Sequence, residues 1–139
     1  MGRLLSRLED KGLQIVALRM MRISRPAALR YYAVHRKRPF FKSLIQYITS
    51  GPVVALVLQG KNVIAVTRKL MGATFGSNAE PGTLRGDFAV SDSFNLIHGS
   101  DSPEAARREI ALFFKPAEIQ GGPLSDFAWI YDLSEGKPV

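Results

Sequence analysis

A six-residue apolar run near the middle of the chain limits what this sequence can fold into. Residues 53–58, VVALVL, contain no polar side chain, and Gly51 and Pro52 stand immediately before them. A membrane-spanning helix needs about 20 apolar residues, so this run is far too short to cross a bilayer. A short apolar run that follows a glycine and a proline is typical of a buried strand. We therefore predict a strand over residues 52–59.

The composition is that of one globular domain. The chain has 139 residues, of which 46% are hydrophobic and 22% are charged. These ordinary values exclude wholesale disorder, a collagen-like fibre and a coiled coil. The chain has no cysteine and two histidines, His35 and His98, which excludes disulfides and argues against a multi-histidine metal site. We predict a single domain over residues 1–139, with residues 132–139 as a C-terminal tail.

The charge points to polyanionic partners. Lysine and arginine number 19 against 12 aspartates and glutamates, which gives a net charge of +7. Such an excess favours nucleotides, nucleic acid or anionic membranes, but it also occurs on solvated protein faces. No secretory signal is visible at the N-terminus. We expect a cytoplasmic protein without a membrane partner, and leave an organelle open because an upstream transit peptide would not be visible.

The remaining segments alternate between helical and extended patterns. We predict helices over residues 3–11, 24–33, 40–49, 62–71 and 102–114, and further strands over residues 13–23 and 88–90. A polar loop with a Pro81-Gly82 turn covers residues 72–82, and an apolar stretch at residues 127–131 anchors the C-terminal part. Because short helices alternate with strands, we predict an α/β fold, an α+β sandwich in which helices pack on a sheet.

The segment NLIHGSDS at residues 95–102 contains the most unusual combination of side chains. Gly99 follows His98 and lets the backbone turn tightly beside the imidazole. Glu109 lies further along the predicted helix, where its carboxylate could fix one ring nitrogen and leave the other as a nucleophile. Side chains suited to holding phosphate oxygens are Arg68, Thr74 and Arg85. The residues alone also allow a second interpretation, a capping or core histidine with solvated arginines.

The same segment resembles the active-site signature of the nucleoside diphosphate kinase family. Other segments resemble that family in the same order along the chain. They are RPFF at 38–41, SGPVVA at 50–55, PGTLRGDF at 81–88, FFKP at 113–116 and WIY at 129–131. The resemblance covers residues 1–132. It implies a ferredoxin-like antiparallel sheet with helices packed on it.

The resemblance also implies a chemistry. It implies a phosphotransferase that moves the γ-phosphate of a nucleoside triphosphate to a nucleoside diphosphate through a phosphohistidine, in a ping-pong sequence. His98 is the implied nucleophile, with Glu109 and Ser100 orienting its imidazole. The residues implied to bind the nucleotide are Tyr32, Phe40, Leu44, Arg68, Thr74, Arg85 and Asn95. Mg²⁺ would arrive with the nucleotide, without a protein cage. The implied partners are nucleoside di- and triphosphates and further copies of the chain, with a hexamer favoured over a tetramer.

The beginning of the chain departs from the family pattern. The family opens with a central strand and a Lys-Pro-Asp-Gly-like turn, whereas residues 1–5 here already correspond to its first helix. The first central strand and its lysine are therefore missing from this sequence. Two explanations stay open: the chain starts late or was truncated, or it is a degenerate relative. The alternative function is a catalytically impaired scaffold that binds nucleotide or nucleic acid through Arg36, Lys37 and Arg38.

Overall fold

The computed structural model describes residues 1–92 and 94–122. Two strands, β1 (Gln14–Met21) and β2 (Val53–Gln59), occur among six helices in this part of the chain. The helices are α1 (Gly2–Glu9), α2 (Arg25–Tyr31), α3 (Phe41–Thr49), α4 (Val63–Met71), α5 (Leu84–Phe88) and α6 (Pro103–Phe113). The predicted α+β arrangement is confirmed.

The two strands form an antiparallel pair. The register joins Gln14 to Gln59 and Met21 to Val53, with an irregularity between Ile15 and Ala17. Within the described residues β2 pairs with β1 alone, so its other edge carries backbone groups without a strand partner. Residues 95–99, which include His98, likewise form no strand in the described part of the chain.

Two apolar clusters form the core. One contains Val16, Ala17, Val57 and Phe114. The other contains Ile23, Ala28, Tyr32 and Ile45, with Tyr31 and Phe113 packed against it. The second cluster joins α2 to α3 and α6. It therefore fixes the end of α2, where Tyr31 and Tyr32 lie.

Local signals determine where the helices begin and end. The Ser24 hydroxyl accepts a hydrogen bond from the Ala27 amide at the start of α2, and Ser102 accepts one from Ala105 at the start of α6. Such caps stabilise a helix by about 1 kcal/mol each. Gly72, at φ 82°, ends α4. These boundaries confirm the sequence predictions.

The predicted strand over residues 88–90 is wrong. Phe88 is the last residue of α5, and Val90 is 93% exposed outside any regular element. The Thr83 side chain accepts a hydrogen bond from the Gly86 amide and begins this short helix, which overrides the preference of phenylalanine and valine for strands. The stretch at residues 127–131 and the predicted tail lie outside the described residues.

The helices of the described residues are short compared with a membrane-spanning helix. The longest helix of the described residues, α6, has 11 residues. No helix in this part of the chain combines the length and the hydropathy that crossing a bilayer requires.

Candidate active site

A cavity of about 790 Å³ opens between the end of α2, the exposed face of α3 and residues 95–99. This volume lies within the ~300–1,000 Å³ of typical small-ligand sites. The structure brings nearly all of the predicted site residues to its walls. They are Tyr32, Phe40, Leu44, Arg68, Thr74, Arg85, Asn95, His98 and Glu109. Ser100 stands behind this wall and bonds to one of its members.

His98 presents its imidazole to the cavity with 46% of the side chain exposed. Its Nε2 atom lies 3.7 Å from Oε2 of Glu109, which projects from α6. The separation exceeds hydrogen-bond length, but the negative charge still favours a proton on the nitrogen that faces it. The Nδ1 atom is then the nitrogen that keeps a lone pair.

Ser100 holds the carboxylate of Glu109 in place. The Ser100 hydroxyl donates a hydrogen bond to Glu109 Oε2 at 2.5 Å, and the Glu109 side chain is 23% exposed. Ser100 lies two residues after His98 in the same segment. The hydroxyl therefore joins the segment of the imidazole to the helix of the carboxylate.

The surroundings of His98 lower its pKa. The main cause is the partial burial of the ring, which disfavours the charged form, and the positive charges of Arg85 and Arg68 act in the same direction. The Glu109 carboxylate opposes them. The net result is a neutral imidazole at pH 7, which is the form that can act as a nucleophile.

Two adjacent tyrosines at the end of α2 flank the imidazole. The ring centroid of Tyr31 lies 5.3 Å from that of His98 and that of Tyr32 lies 6.1 Å away, both edge-on. Burial raises the pKa of both hydroxyls, that of Tyr32 to about 12, and the charge of Glu109 adds to this. Both side chains are therefore neutral. Sequence reasoning missed Tyr31, for which the available signal was its position beside Tyr32 at a helix end.

Arg85 is buried, with 7% of its surface exposed, and its guanidinium faces backbone oxygens. Its Nε donates to the carbonyl of Asn95 at 3.3 Å, its Nη1 to those of Gly72 and Ala73 at 3.0 and 3.3 Å, and its Nη2 to that of Ile97 at 2.7 Å. Burial and the charge of Arg68 lower its pKa, but an arginine stays protonated. Arg85 therefore ties the loop after α4 to the segment just before His98.

The other predicted side chains lie nearer to solvent. Arg68 donates one long hydrogen bond, 3.4 Å, to the carbonyl of Gly99, and the Asn95 amide donates to the carbonyl of Thr74 at 3.0 Å. Phe40 is 50% exposed at the start of α3, one turn before Leu44. The cavity thus has a cationic part near His98 and an apolar part along α3.

Comparison with known protein families shows to which family the chain belongs. The family model described as nucleoside diphosphate kinase matches residues 1–119. The chain belongs to the nucleoside diphosphate kinase family. Members of this family are transferases of the kinase class that bind nucleotides, and the resemblance seen in the sequence is confirmed.

Individual nucleoside diphosphate kinases agree with this assignment. That of Archaeoglobus fulgidus is 53% identical over 131 residues, which cover 94% of this chain and 87% of the relative. That of Moorella thermoacetica is 58% identical over 118 residues, or 85% of each chain. The solved structure of a halophilic nucleoside diphosphate kinase from Halobacterium salinarum, in complex with CDP, has a TM-score of 0.91 and 45% identity, covering 95% of this chain and 88% of the other.

Proposed function

We propose that the chain transfers the γ-phosphate of a nucleoside triphosphate to a nucleoside diphosphate through a phosphohistidine at His98. The observation that carries the proposal is the neutral imidazole with Nε2 towards Glu109 at the wall of a cationic cavity. The names of its relatives, and the CDP in the complex of the Halobacterium salinarum protein, support a nucleotide as the ligand.

The first half-reaction needs a lone pair on the His98 imidazole and a group that stabilises the positive ring formed when this lone pair attacks. The Nδ1 lone pair of His98 attacks the γ-phosphorus and forms an N–P bond. The bond from that phosphorus to its bridging oxygen breaks, and the nucleoside diphosphate leaves with the electron pair. The proton stays on Nε2, where the Glu109 carboxylate stabilises the positive ring. The second half-reaction is the reverse, with a different diphosphate as the acceptor.

The cavity offers each part of a nucleotide a matching surface. Arg68 and Thr74 would bind phosphate oxygens, since Arg68 makes a single long hydrogen bond, 3.4 Å, within the part of the chain that the structure describes. Arg85 would contribute its positive charge, because its donors already face four carbonyls. The base would stack on Phe40 beside Leu44. Asn95 would bond the sugar, and Tyr32 would lie near the transferred phosphate.

The acidic groups of the cavity are consistent with Mg²⁺ that binds as part of the nucleotide complex. Among the described residues no three His, Asp or Glu side chains are grouped to hold a metal ion. Of the cavity-lining carboxylates, Glu109 is held by Ser100 and Asp101 is exposed. Mg²⁺ is commonly bound through substrate phosphates, waters and one or two carboxylates. Asp101 would contact the waters of the ion, which when bound supplies charge neutralisation on the phosphates.

Radioactive labelling tests the covalent intermediate. Incubation with γ-labelled ATP and Mg²⁺ should leave an acid-labile, alkali-stable phosphate on the chain, and addition of unlabelled GDP should release it as labelled GTP. The His98→Ala variant should carry no label, whereas His35→Ala, which removes the other histidine, should keep it. An unlabelled wild-type chain, or label that persists in His98→Ala, would contradict the proposal.

The oligomeric state forms part of the same proposal. The family resemblance implies a homo-oligomer, with a hexamer favoured over a tetramer, and Leu18 and Met20 of β1 leave 48% and 61% of their surface exposed. Light scattering of the purified chain, at 15.4 kDa per copy, distinguishes these states. A monomer at micromolar concentration would contradict an assembled enzyme.

One feature favours nucleic-acid binding as a second candidate function. Residues 11–79 contain 12 lysines and arginines and no aspartate or glutamate. Arg36, Lys37 and Arg38 are exposed, and in the part of the chain that the structure describes they form no ion pair. Duplex affinity should then fall steeply with salt, with a log–log slope of about −0.9 for each neutralised phosphate, and replacement of these three side chains by alanine should flatten the slope. A flat response in the unmodified chain would exclude this candidate.

A further inference from the structure

The ring of Tyr31 is in contact with three other rings. It lies 5.3 Å from His98 at 72°, 5.1 Å from Phe113 at 73° and 4.5 Å from Tyr32 at 59°, measured between ring centroids. Edge-to-face contacts at these distances are favourable and directional. The proposed reaction gives Tyr31 no task, although it stands closer to the imidazole than Tyr32 does.

Rigid elements support Tyr31 from behind. Phe113 ends α6, the helix that also carries Glu109, and Tyr32 is 6% exposed within the core cluster of α2 and α3. A side chain packed between such neighbours has little freedom to move. Tyr31 therefore makes a fixed edge-to-face contact with the imidazole. The helix that carries the Glu109 carboxylate, α6, supports Tyr31 through Phe113.

The orientation of the imidazole decides which nitrogen reacts. Rotation of a histidine ring by 180° about its last torsion exchanges Nδ1 with Cδ2 and Nε2 with Cε1, and that torsion is broad in the absence of contacts. In the structure Nε2 faces Glu109. A ring turned the other way would place Cε1 opposite the carboxylate and Cδ2 where Nδ1 stands. The carboxylate would then no longer fix the proton on Nε2, and either nitrogen could carry the lone pair.

We propose that Tyr31 is a positioning residue that holds the His98 imidazole with Nε2 towards Glu109 and so selects Nδ1 as the atom that takes the phosphoryl group. The inference rests on the proposed phosphohistidine chemistry. The aromatic ring carries this role, because in the described part of the chain the Tyr31 hydroxyl makes no hydrogen bond, whereas its ring makes three contacts.

The two isomers of phosphohistidine give a direct readout. Chains labelled with γ-labelled ATP are digested in alkali, and the Nδ1- and Nε2-phosphohistidines are separated by chromatography. Wild type and Tyr31→Phe should give the Nδ1 isomer alone. Tyr31→Leu should give a mixture, with phosphorylation slowed about tenfold and the KM for ATP unchanged, since the contact acts on the imidazole and not on the nucleotide. Tyr31→Leu with the Nδ1 isomer alone at the wild-type rate would overturn the inference.

Two further variants separate positioning from a general loss of structure. Phe113→Leu removes a ring behind Tyr31 without replacing any group that touches His98, and it should shift the isomer ratio in the same direction. Tyr47→Leu is the matched control, because Tyr47 lines the same cavity and its ring packs against Phe94, at 4.8 Å between centroids, rather than against His98. Its product should remain the Nδ1 isomer, and a mixture there would contradict a role particular to Tyr31.

A measurement without nucleotide keeps the inference separate from the proposed function. Nitrogen-15 NMR of the imidazole reports which nitrogen carries the proton in the resting chain. Wild type and Tyr31→Phe should show the proton on Nε2, and Tyr31→Leu should show both forms. A wild-type chain that takes up no radioactive phosphate from ATP overturns the phosphotransfer. An unchanged proton position in Tyr31→Leu overturns the positioning role. If Tyr31→Leu does not fold, the isomer ratio and the proton position of Phe113→Leu decide the question instead.

Discussion

The guanidinium of Arg85 donates a hydrogen bond from Nη2 to the carbonyl oxygen of Ile97 at 2.7 Å, one residue before His98. Its other bonds reach Asn95 and the loop at residues 72–73. A buried cation therefore fixes the backbone of the proposed nucleophile. The family resemblance implied a phosphate contact for Arg85 and gave no sign of these backbone contacts.

Arg85→Lys keeps the charge and removes the planar fork. A lysine ammonium cannot face four carbonyls in these directions, and hydrogen bonds from a charged donor stabilise by about 1.5–3 kcal/mol each. We expect the free energy of unfolding to fall by about 2–4 kcal/mol, measured by urea denaturation. Arg107→Lys, an exposed side chain that pairs with Glu104, should change it by less than about 0.5 kcal/mol. Equal stability of Arg85→Lys and wild type would show that the four bonds do not hold the site together.

Features with a local cause could be predicted from the sequence. Ser24 and Ser102 cap the helices that were predicted over residues 24–33 and 102–114, because a hydroxyl three residues before an unpaired amide acts within one turn. The approach of Glu109 to His98 was also accessible, since the capped helix starts directly after the histidine segment.

Features that depend on distant neighbours could not be predicted. Tyr31 meets His98 only after α2 packs beside α6, and no spacing within either segment encodes that contact. The four carbonyl partners of Arg85 belong to two separate loops, so the residue type indicated phosphate binding and gave no sign of the backbone contacts. Residues 88–90 were predicted as a strand from side-chain preference, whereas the cap at Thr83 decides their structure.

Glu109→Gln should lower the pKa of His98 further. The pKa of His98 in the folded chain is below 6.5, and the Glu109 carboxylate is the group that raises it. Removal of this charge leaves the burial of the ring and the two arginines, which all lower the pKa. NMR titration of the His98 ring protons measures the midpoint. A midpoint that rises in Glu109→Gln would contradict the electrostatic account of the site.

The same pKa shift predicts how stability depends on pH. Because the pKa of His98 is lower in the folded chain than the ordinary 6.5, the unfolded chain binds more protons between these two values. The contribution of His98 to stability should therefore fall as the pH decreases below about 6.5 and level off below the folded pKa. Urea denaturation at several pH values should show a smaller loss for His98→Gln than for wild type. Parallel curves for the two chains would contradict the shift.

Ser100→Ala tests the support of the carboxylate. The variant removes the hydroxyl that donates to Glu109 at 2.5 Å and leaves the imidazole in place. Loss of one hydrogen bond of about 1 kcal/mol that acts on the positive ring should lower kcat about fivefold while KM for the nucleotide stays constant. Steady-state kinetics with ATP and a second diphosphate measure both values. Ser100→Thr keeps a hydroxyl and should retain most of kcat, and a change in KM alone would assign Ser100 to nucleotide binding instead.

Gly86→Ala should disturb the site through the backbone that precedes it. A Cβ atom at Gly86 would collide with the carbonyl oxygen of Glu80 and come within 2.9 Å of that of Ala79. Backbone atoms cannot rotate away as the end of a side chain can, so α5 and the adjacent Arg85 would have to move. We expect the free energy of unfolding to fall by about 1–3 kcal/mol, the usual range for overpacking. Gly51→Ala is the matched control, because a Cβ there meets nothing within 4 Å. The urea midpoints of the two variants measure this difference in stability. If Gly86→Ala were as stable as Gly51→Ala, α5 would be able to shift without cost and would not hold Arg85 in place.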